Sequence, residues 1–319
     1  MLEIDGSQKS GSGTILRLSI ALAAILNEPM HIYNIRHKRR QPGLRPQHLE
    51  SVLTAAKLCN AETEGAELGS RELWFKPNGI VSGEVRAEIG TAGSISMLLL
   101  TVLPICAYAK GDVSVHVVGG GTDVRYAPTI NYMKYVLLPV LKRAGVKASL
   151  TINRFGYYPK GMGEAVLKVN RSKLGAVSIE EFGEIEKIEG VSVCTFLEKQ
   201  RVAERQAEAA EKLLRSCGYE AEVQVVNDQS NPVQRGSSMV LWTKTSSGAL
   251  VGGDAIGERG KPSEAVGREA GENLLKEIEA HATVDVHVAD MLVPYVALAD
   301  GASTYLTRKV TDHLETNIW

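Results

Sequence analysis

Four segments of the chain carry side chains or backbone that could act on a phosphate. The first is Val310-Thr311-Asp312-His313-Leu314-Glu315-Thr316-Asn317, where a histidine stands at the start of a polar helix. To attack phosphorus, His313 needs a neutral ring nitrogen and a partner on the other nitrogen to orient it. No Cys or His stands at metal-ligand spacing to it, and H-E-x-x-H is absent, which argues against zinc. The second segment is basic: Arg36, His37, Lys38, Arg39 and Arg40, then Arg45, with Gly43 between. It ends a strand and precedes a helix, where the positive helix terminus and the guanidinium forks suit phosphate oxygens. A solvated basic loop satisfies the same residues.

The third is a set of glycine-rich turns: Gly6 to Gly13, Gly90 to Gly93, and Gly119 to Gly121. None has the lysine of a Walker-A loop. Each could present bare N–H groups to an anion, or could simply permit a tight turn. The fourth, Gly156 to Glu164, reads either as a long hairpin between two strands or as part of a site.

The elements that must position these segments follow from periodicity. Leu2–Asp5 alternates as a strand, and Ile15, Leu16, Leu18, Ala21, Leu22 and Ile25 recur at helical spacing. Met30–Ile35 is a strand and Pro46–Cys59 a helix, with Pro46 suited to a first helical turn. The order then repeats: strand Val85–Ile89, turn Gly90–Ser94, helix Ile95–Ala109, strand Val113–Val118, loop, helix Pro128–Ala144. Strands Lys147–Asn153 and Ala165–Asn170 follow. A third, shorter run has helix Val284–Ala299, strand Ser303–Thr307 and the start of a helix at Thr311–Trp319. By the pattern of the first two, a helix remainder and two strands, roughly 20–30 residues, are expected to be missing. The intervening stretch reads as strand, helix, three strands and helix. The expected fold is therefore α+β: a large domain of three repeated units, residues 1–183 and 280–319, with a small α+β domain, 184–279, inserted.

Composition sets the frame. The chain has 319 residues, and 36 Lys plus Arg against 37 Asp plus Glu leave a net charge of −1, so any nucleic-acid surface must come from local clustering. Cys59, Cys106, Cys194 and Cys217 form no C-x-x-C pair and are expected as buried, reduced thiols. The N-terminus lacks the basic n-region of a signal peptide, and no apolar run reaches the ~18 residues of a membrane helix. The expectation is a cytoplasmic protein with no membrane partner.

Together the segments resemble the RNA 3′-terminal phosphate cyclases. The resemblance rests on Ile35-Arg36, Arg39 and Pro42-Gly43-Leu44-Arg45-Pro46-Gln47-His48; on Glu64-Gly65-Ala66-Glu67-Leu68-Gly69-Ser70; on Thr91-Ala92-Gly93-Ser94; on Gly120-Gly121-Thr122-Asp123; on Gly156-Tyr157-Tyr158-Pro159-Lys160-Gly161; on Val202-Ala203-Glu204-Arg205; and on His313 with Thr316-Asn317. It spans nearly the whole chain in order and spacing. It implies a large domain of three repeated units with a small inserted α+β domain; enolpyruvyl transferases share the repeat unit. It also implies a reaction in which His313 takes AMP from ATP and passes it to an RNA 3′-phosphate, after which the 2′-hydroxyl closes a 2′,3′-cyclic phosphate. By position, Arg17, Arg36, Arg39 and Gln47 would serve the phosphates. Pro128 would pack on the adenine, and Asp290 would lie near the nucleotide. A divalent metal, Mg or Mn, would assist. An RNA-binding or ribosome-assembly role without catalysis is the alternative the family offers.

The sequence departs from the family at several points. Ser10 stands where a metal-contacting glutamate is usual, and a hydroxyl is a weaker ligand for a hard cation. Leu100 replaces a glutamine, Met162 interrupts a triple glycine, Phe155 replaces Arg or His, and His287 stands at an aromatic position.

Overall fold

The computed structural model describes residues 1–319. Its first sheet comprises β1 (Leu2–Asp5), β2 (Met30–Tyr33), β3 (Glu62–Glu64) and β4 (Leu73–Lys76), with α1 (Gly13–Leu26) and α2 (Pro46–Leu58) between them. The spatial order is β1-β2-β4-β3; β1 and β2 are parallel and the other pairs antiparallel. The second sheet comprises β5 (Gly83–Glu88), β6 (Val113–Val118), β7 (Lys147–Arg154) and β8 (Glu164–Asn170). Its order, β5-β6-β8-β7, and its strand polarity are the same as in the first. A parallel pair needs a crossover, which α1 supplies in one sheet and α3 (Ile95–Tyr108) in the other. In this sheet, β3 and β4 are absent from the sequence-based expectations. Three exposed or half-exposed residues, Glu62–Glu64, give β3 no apolar alternation to detect.

Helix formation follows the local chemistry. Ser12 caps α1 by accepting from Thr14 N–H at 3.3 Å, and Asn27 ends it in a left-handed conformation. Ile15, Leu16, Ile20, Ala21, Ala23 and Ala24 form its buried face. α3 is apolar on nearly every side and is buried on nearly every side, as such a helix must be. The helix expected over Pro128–Ala144 starts two residues later, because Thr129 is its cap and accepts from Tyr132 N–H. It runs as α4 (Ile130–Tyr132), a π-helical turn (Met133–Leu137) and α5 (Leu138–Arg143).

The third group pairs β9 (Ser178–Ile179) in parallel with β14 (Thr304–Tyr305), and contains α8 (Val286–Ala297) and α9 (Asp312–Ile318). Its first strand therefore precedes the intervening stretch; at two residues β9 is too short to show a period. Between them lie β10 (Ile185–Thr195), α6 (Val202–Ser216), β11 (Ala221–Asp228), β12 (Gly236–Thr245), β13 (Leu250–Ile256) and α7 (Ser263–Glu279), whose strands form a sheet of order β11-β10-β12-β13. This sheet meets the π-helical turn through Tyr135, which stacks on Trp242 at 4.7 Å. Tyr132 hydroxyl donates to Asp285, which also accepts from Gly252 N–H at 3.0 Å. Cys59, Cys106 and Cys194 are buried free thiols, but Cys217 is exposed, contrary to expectation, because it lies past the end of α6. No helix is long and apolar enough to cross a membrane.

Candidate active site

The cavity that concentrates the chemistry has a volume of about 670 Å³, within the range of small-molecule sites. α1 contributes Thr14 and Arg17, and α3 contributes Met97 and Leu100. The loop before α4 adds Pro128, β13 adds Asp254, α8 adds His287 and Asp290, and α9 adds His313.

α9 is only two turns long and is held in place by its neighbours. Thr311 caps it, accepting from Leu314 N–H at 2.9 Å, while its own hydroxyl donates to Asp290 Oδ1 at 2.6 Å. Asn317 donates to the Asp290 carbonyl at 2.7 Å. The turn before α1 grips the opposite side: Lys9 pairs with Glu315 at 2.8 Å, and Ser10 N–H donates to Thr316 Oγ1 at 3.3 Å. The first and last helices of the chain thereby share one site.

His313 Nδ1 lies 3.2 Å from Thr14 Oγ1, which also accepts from Arg17 Nη2 at 3.2 Å. With the proton on Nδ1, that hydroxyl accepts from both, and Nε2 keeps its lone pair. The surrounding protein and the cations of Arg17 and Arg39 push the imidazole below its ordinary value, so the neutral ring is favoured. Arg17 has no carboxylate partner. Burial, then Arg36 and Arg39, lower it to about 10, so it stays protonated near neutral pH. A guanidinium held this way is an anion site by default.

Of the residues expected from the sequence, Arg17, Pro128, Asp290 and His313 line the cavity; Leu100 and His287 do as well. Asp290 is pushed up to about 6 by burial. Arg36, Arg39 and Gln47 do not line it. Arg36 Nη1 donates to the Gln41 and Gly43 carbonyls, each at 2.8 Å, and so shapes its own loop. Arg39 is exposed, yet its charge reaches Arg17, Arg36 and His313. Gln47 Oε1 accepts from Ser94 N–H at 2.8 Å, tying α2 to the start of α3.

Sequence reasoning assigned no role to Thr14, His48 or Asp254. Thr14 had a signal, since it sits three residues before Arg17 on one helix face. His48 lies beneath the arginines, and its Nδ1 is buried without a partner. Burial, then Arg17, Arg36 and Arg45, drive it down to about 2, so it is neutral. Gly13 is what admits it, because a Cβ there would sit 2.5 Å from His48 Nε2 and 2.9 Å from Arg17 Nη1.

The other glycine segments bind each other. Thr122 N–H donates to Gly156 O at 2.8 Å, Gly163 N–H to Gly120 O at 2.7 Å, and Met162 N–H to Gly119 O at 2.7 Å. A Cβ on Gly156 would sit 2.5 Å from Gly120 O, and one on Gly161 the same distance from Gly119 O. These N–H groups form a backbone-to-backbone clasp, and Gly156 N–H donates to Thr122 Oγ1 at 2.9 Å. No three His, Cys, Asp or Glu side chains converge in the structure. The Ser10 hydroxyl instead meets that of Ser12 at 3.0 Å.

Comparison with known proteins accords with this arrangement. The sequence matches the family described as RNA 3′-terminal phosphate cyclase over residues 8–319. It is 47% identical to the protein named RNA 3′-terminal phosphate cyclase from Pyrobaculum aerophilum and 49% to that from Pyrobaculum neutrophilum, covering 100% of this chain and 91% of each relative. The Pyrococcus furiosus protein of the same name is 43% identical, with 100% of this chain and 92% of the relative covered. The enolpyruvyl transferase NikO from Streptomyces tendae matches 54% of this chain and 33% of its own at 12% identity; its TM-score of 0.30 is too low to bear on the fold. With relatives nearly half identical along its whole length, the chain belongs to the RNA 3′-terminal phosphate cyclase family.

Proposed function

We propose that the protein converts the 3′-terminal phosphate of RNA to a 2′,3′-cyclic phosphate at the expense of ATP, with His313 as nucleophile. The observation that carries this reading is the chain Arg17–Thr14–His313 inside a cavity of nucleotide size. His313 Nε2 forms a bond to the α-phosphorus of ATP, and the bond to the β-phosphate oxygen breaks, releasing pyrophosphate. An oxygen of the RNA 3′-phosphate then displaces the histidine, giving an RNA(3′)pp(5′)A end. The neighbouring 2′-hydroxyl attacks the 3′-phosphorus, its proton is lost to solvent, and AMP leaves. Splitting the reaction this way converts the poor oxide leaving group of the RNA 3′-phosphate into a good one, AMP.

Thr14 orients the ring and Arg17 offsets charge on the non-bridging oxygens. Arg36 and Arg39 add to the positive field, and Gln47 acts at one remove by fixing the start of α3. Pro128 and Asp290 border the nucleotide. The proposed cofactors are ATP and a divalent ion, Mg or Mn; no protein ligand is assigned to the ion, and no step depends on it. Four unpaired cysteines suit a reducing compartment, and the cytoplasm is the one proposed.

A second reading, binding of RNA or assembly partners without catalysis, is favoured by Ser10 at the glutamate position. Incubation with α-labelled ATP and either metal separates the two. An acid-labile label that His313→Ala abolishes is expected. A folded wild-type protein that takes no label, or a variant that keeps it, would refute the catalytic reading.

A further inference from the structure

β2, β6 and β14 each lead into a helix: α2, α4 and α9. The first two connections are clasped by a neighbouring hairpin. Leu44 N–H donates to Ser70 O and Gly69 N–H to Leu44 O, both at 2.8 Å, while the Gly119 and Gly120 carbonyls accept from Met162 and Gly163 N–H, both at 2.7 Å. The third connection, residues 307–310, has no such clasp, and none of its N–H or C=O groups bonds to other backbone. Only its ends are fixed: Thr283 N–H donates to Leu306 O at 2.9 Å, and Thr311 donates to Asp290. Yet this stretch runs into the turn of α9 that carries His313.

Arg308 supplies the one side-chain hydrogen bond of the stretch: its Nε donates to Glu277 Oε1 of α7 at 2.9 Å. The Glu277 side chain is 3% exposed and that of Arg308 32%, so the carboxylate end is little screened by water. Glu277 Oε2 is buried without a partner, and no second cation meets the carboxylate. Burial raises Glu277 above its ordinary value, and the Arg308 hydrogen bond opposes that rise. Removing the arginine would leave a buried charge uncompensated, which makes the tie costly to break. Glu277 also shares a face of α7 with Glu269 and Asn273, at steps of four residues, and those two line the cavity. One helix face therefore meets both the cavity and the segment before His313. We propose that Glu277 and Arg308 are a positioning pair, which fixes the start of α9, and with it His313, relative to the cavity wall.

Attack on phosphorus tolerates little error in placement, and a shift of about 1 Å can cost about 10²-fold in rate. Neither Glu277 nor Arg308 lines the cavity. Loss of the pair therefore falls on the rate of the bond-forming step and not on the hold of the nucleotide.

The inference rests on His313 as nucleophile, so one readout uses the chemistry and a second does not. Self-labelling with α-labelled ATP is followed against ATP concentration for the wild type, Arg308→Ala, Arg308→Lys and the double variant Glu277→Gln/Arg308→Met. Arg308→Ala should slow labelling at saturating ATP by about tenfold or more, with the half-saturating ATP concentration within about twofold of wild type. Arg308→Lys should recover most of the rate, because a single contact is at stake and an ammonium can supply it. The double variant leaves no buried charge unpaired; it should label as slowly as Arg308→Ala, and it decides the matter if Arg308→Ala does not fold. Hydrogen exchange on the same proteins without ATP should show α9 exchanging faster in both variants that lack the tie, with α1 and β13 unchanged. A double variant that labels at the wild-type rate, a loss confined to the half-saturating concentration, no recovery with lysine, or unchanged exchange of α9 would overturn the assignment. A wild type that takes no label would refute the nucleophile instead, and the exchange comparison would then decide on the tie alone.

Discussion

Arg17 should be a site where function and stability oppose each other. Its guanidinium lies among Arg36, Arg39 and the protein interior, with Thr14 as its hydrogen-bond acceptor and no carboxylate nearby. The drop from the ordinary 12.5 to about 10 corresponds to roughly 3 kcal/mol against the charged form. That cost is fully present below pH 10, where the folded protein holds the proton. It is relieved as pH climbs from about 10 towards the unfolded value, where the unfolded chain binds more protons. Arg17→Met removes the charge and keeps an adaptable apolar chain. The lost hydrogen bond to Thr14 subtracts about 1 kcal/mol, which leaves an expected net gain of about 1–3 kcal/mol. Thermal unfolding at pH 7 should therefore show a midpoint raised by a few degrees. Self-labelling with α-labelled ATP should fall by about 10²-fold or more, the loss of charge-assisted bonds to phosphate oxygens. Because Arg17 helps hold His313 below its ordinary value, the residual activity should also lose its acid limb at a higher pH than in the wild type. A lowered midpoint together with undiminished labelling would refute the whole chain of reasoning.

Asp290→Asn should stabilise the protein at neutral pH. Burial lifts this carboxyl to about 6 from an ordinary 3.8, so the folded state binds the extra proton. Its stabilising effect is complete below pH 4 and lost as pH rises through 6; the gap in melting temperature between variant and wild type should widen from pH 4 to pH 7, and a constant gap would count against it. Arg39→Ala, at an exposed residue, should leave stability within ~0.5 kcal/mol, while KM for 3′-phosphorylated RNA rises and its salt dependence flattens; an unchanged KM would return Arg39 to the solvated-loop reading. Gly156→Ala forces a Cβ to 2.5 Å from Gly120 O and should destabilise by about 1–3 kcal/mol in urea unfolding, whereas an unchanged midpoint would mean that the two glycine segments are not clasped.

Most helices and the longer strands were legible because their periods are long and their caps are local. Pro46 and Ser94 mark helix starts by side-chain chemistry that acts within three residues. β3, β9 and the π-helical turn were not legible. A three-residue exposed strand and a two-residue strand carry no period, and the widened turn packs its Tyr135 on Trp242, over a hundred residues away. The glycine segments offered two readings, and their partners decided between them. Whether an N–H faces an anion or another backbone is a property of what lies opposite.

By itself the sequence determined which residue types were available: a histidine in a capped polar helix, a run of arginines, and the order of motifs that places the chain in its family. The tertiary structure decided which of them act together. It drew His313 to within 3.2 Å of Thr14, 299 positions earlier, by tying α9 to the turn before α1. It also turned Arg36 and Gln47 towards backbone partners outside the cavity and left Arg17 as its unpaired cation. Local propensity acts over a few residues, whereas the pairing or isolation of a charge depends on elements that meet only when the chain has folded. For that reason the sequence could single out His313 as a candidate nucleophile, but not its hydrogen-bond partner or its protonation.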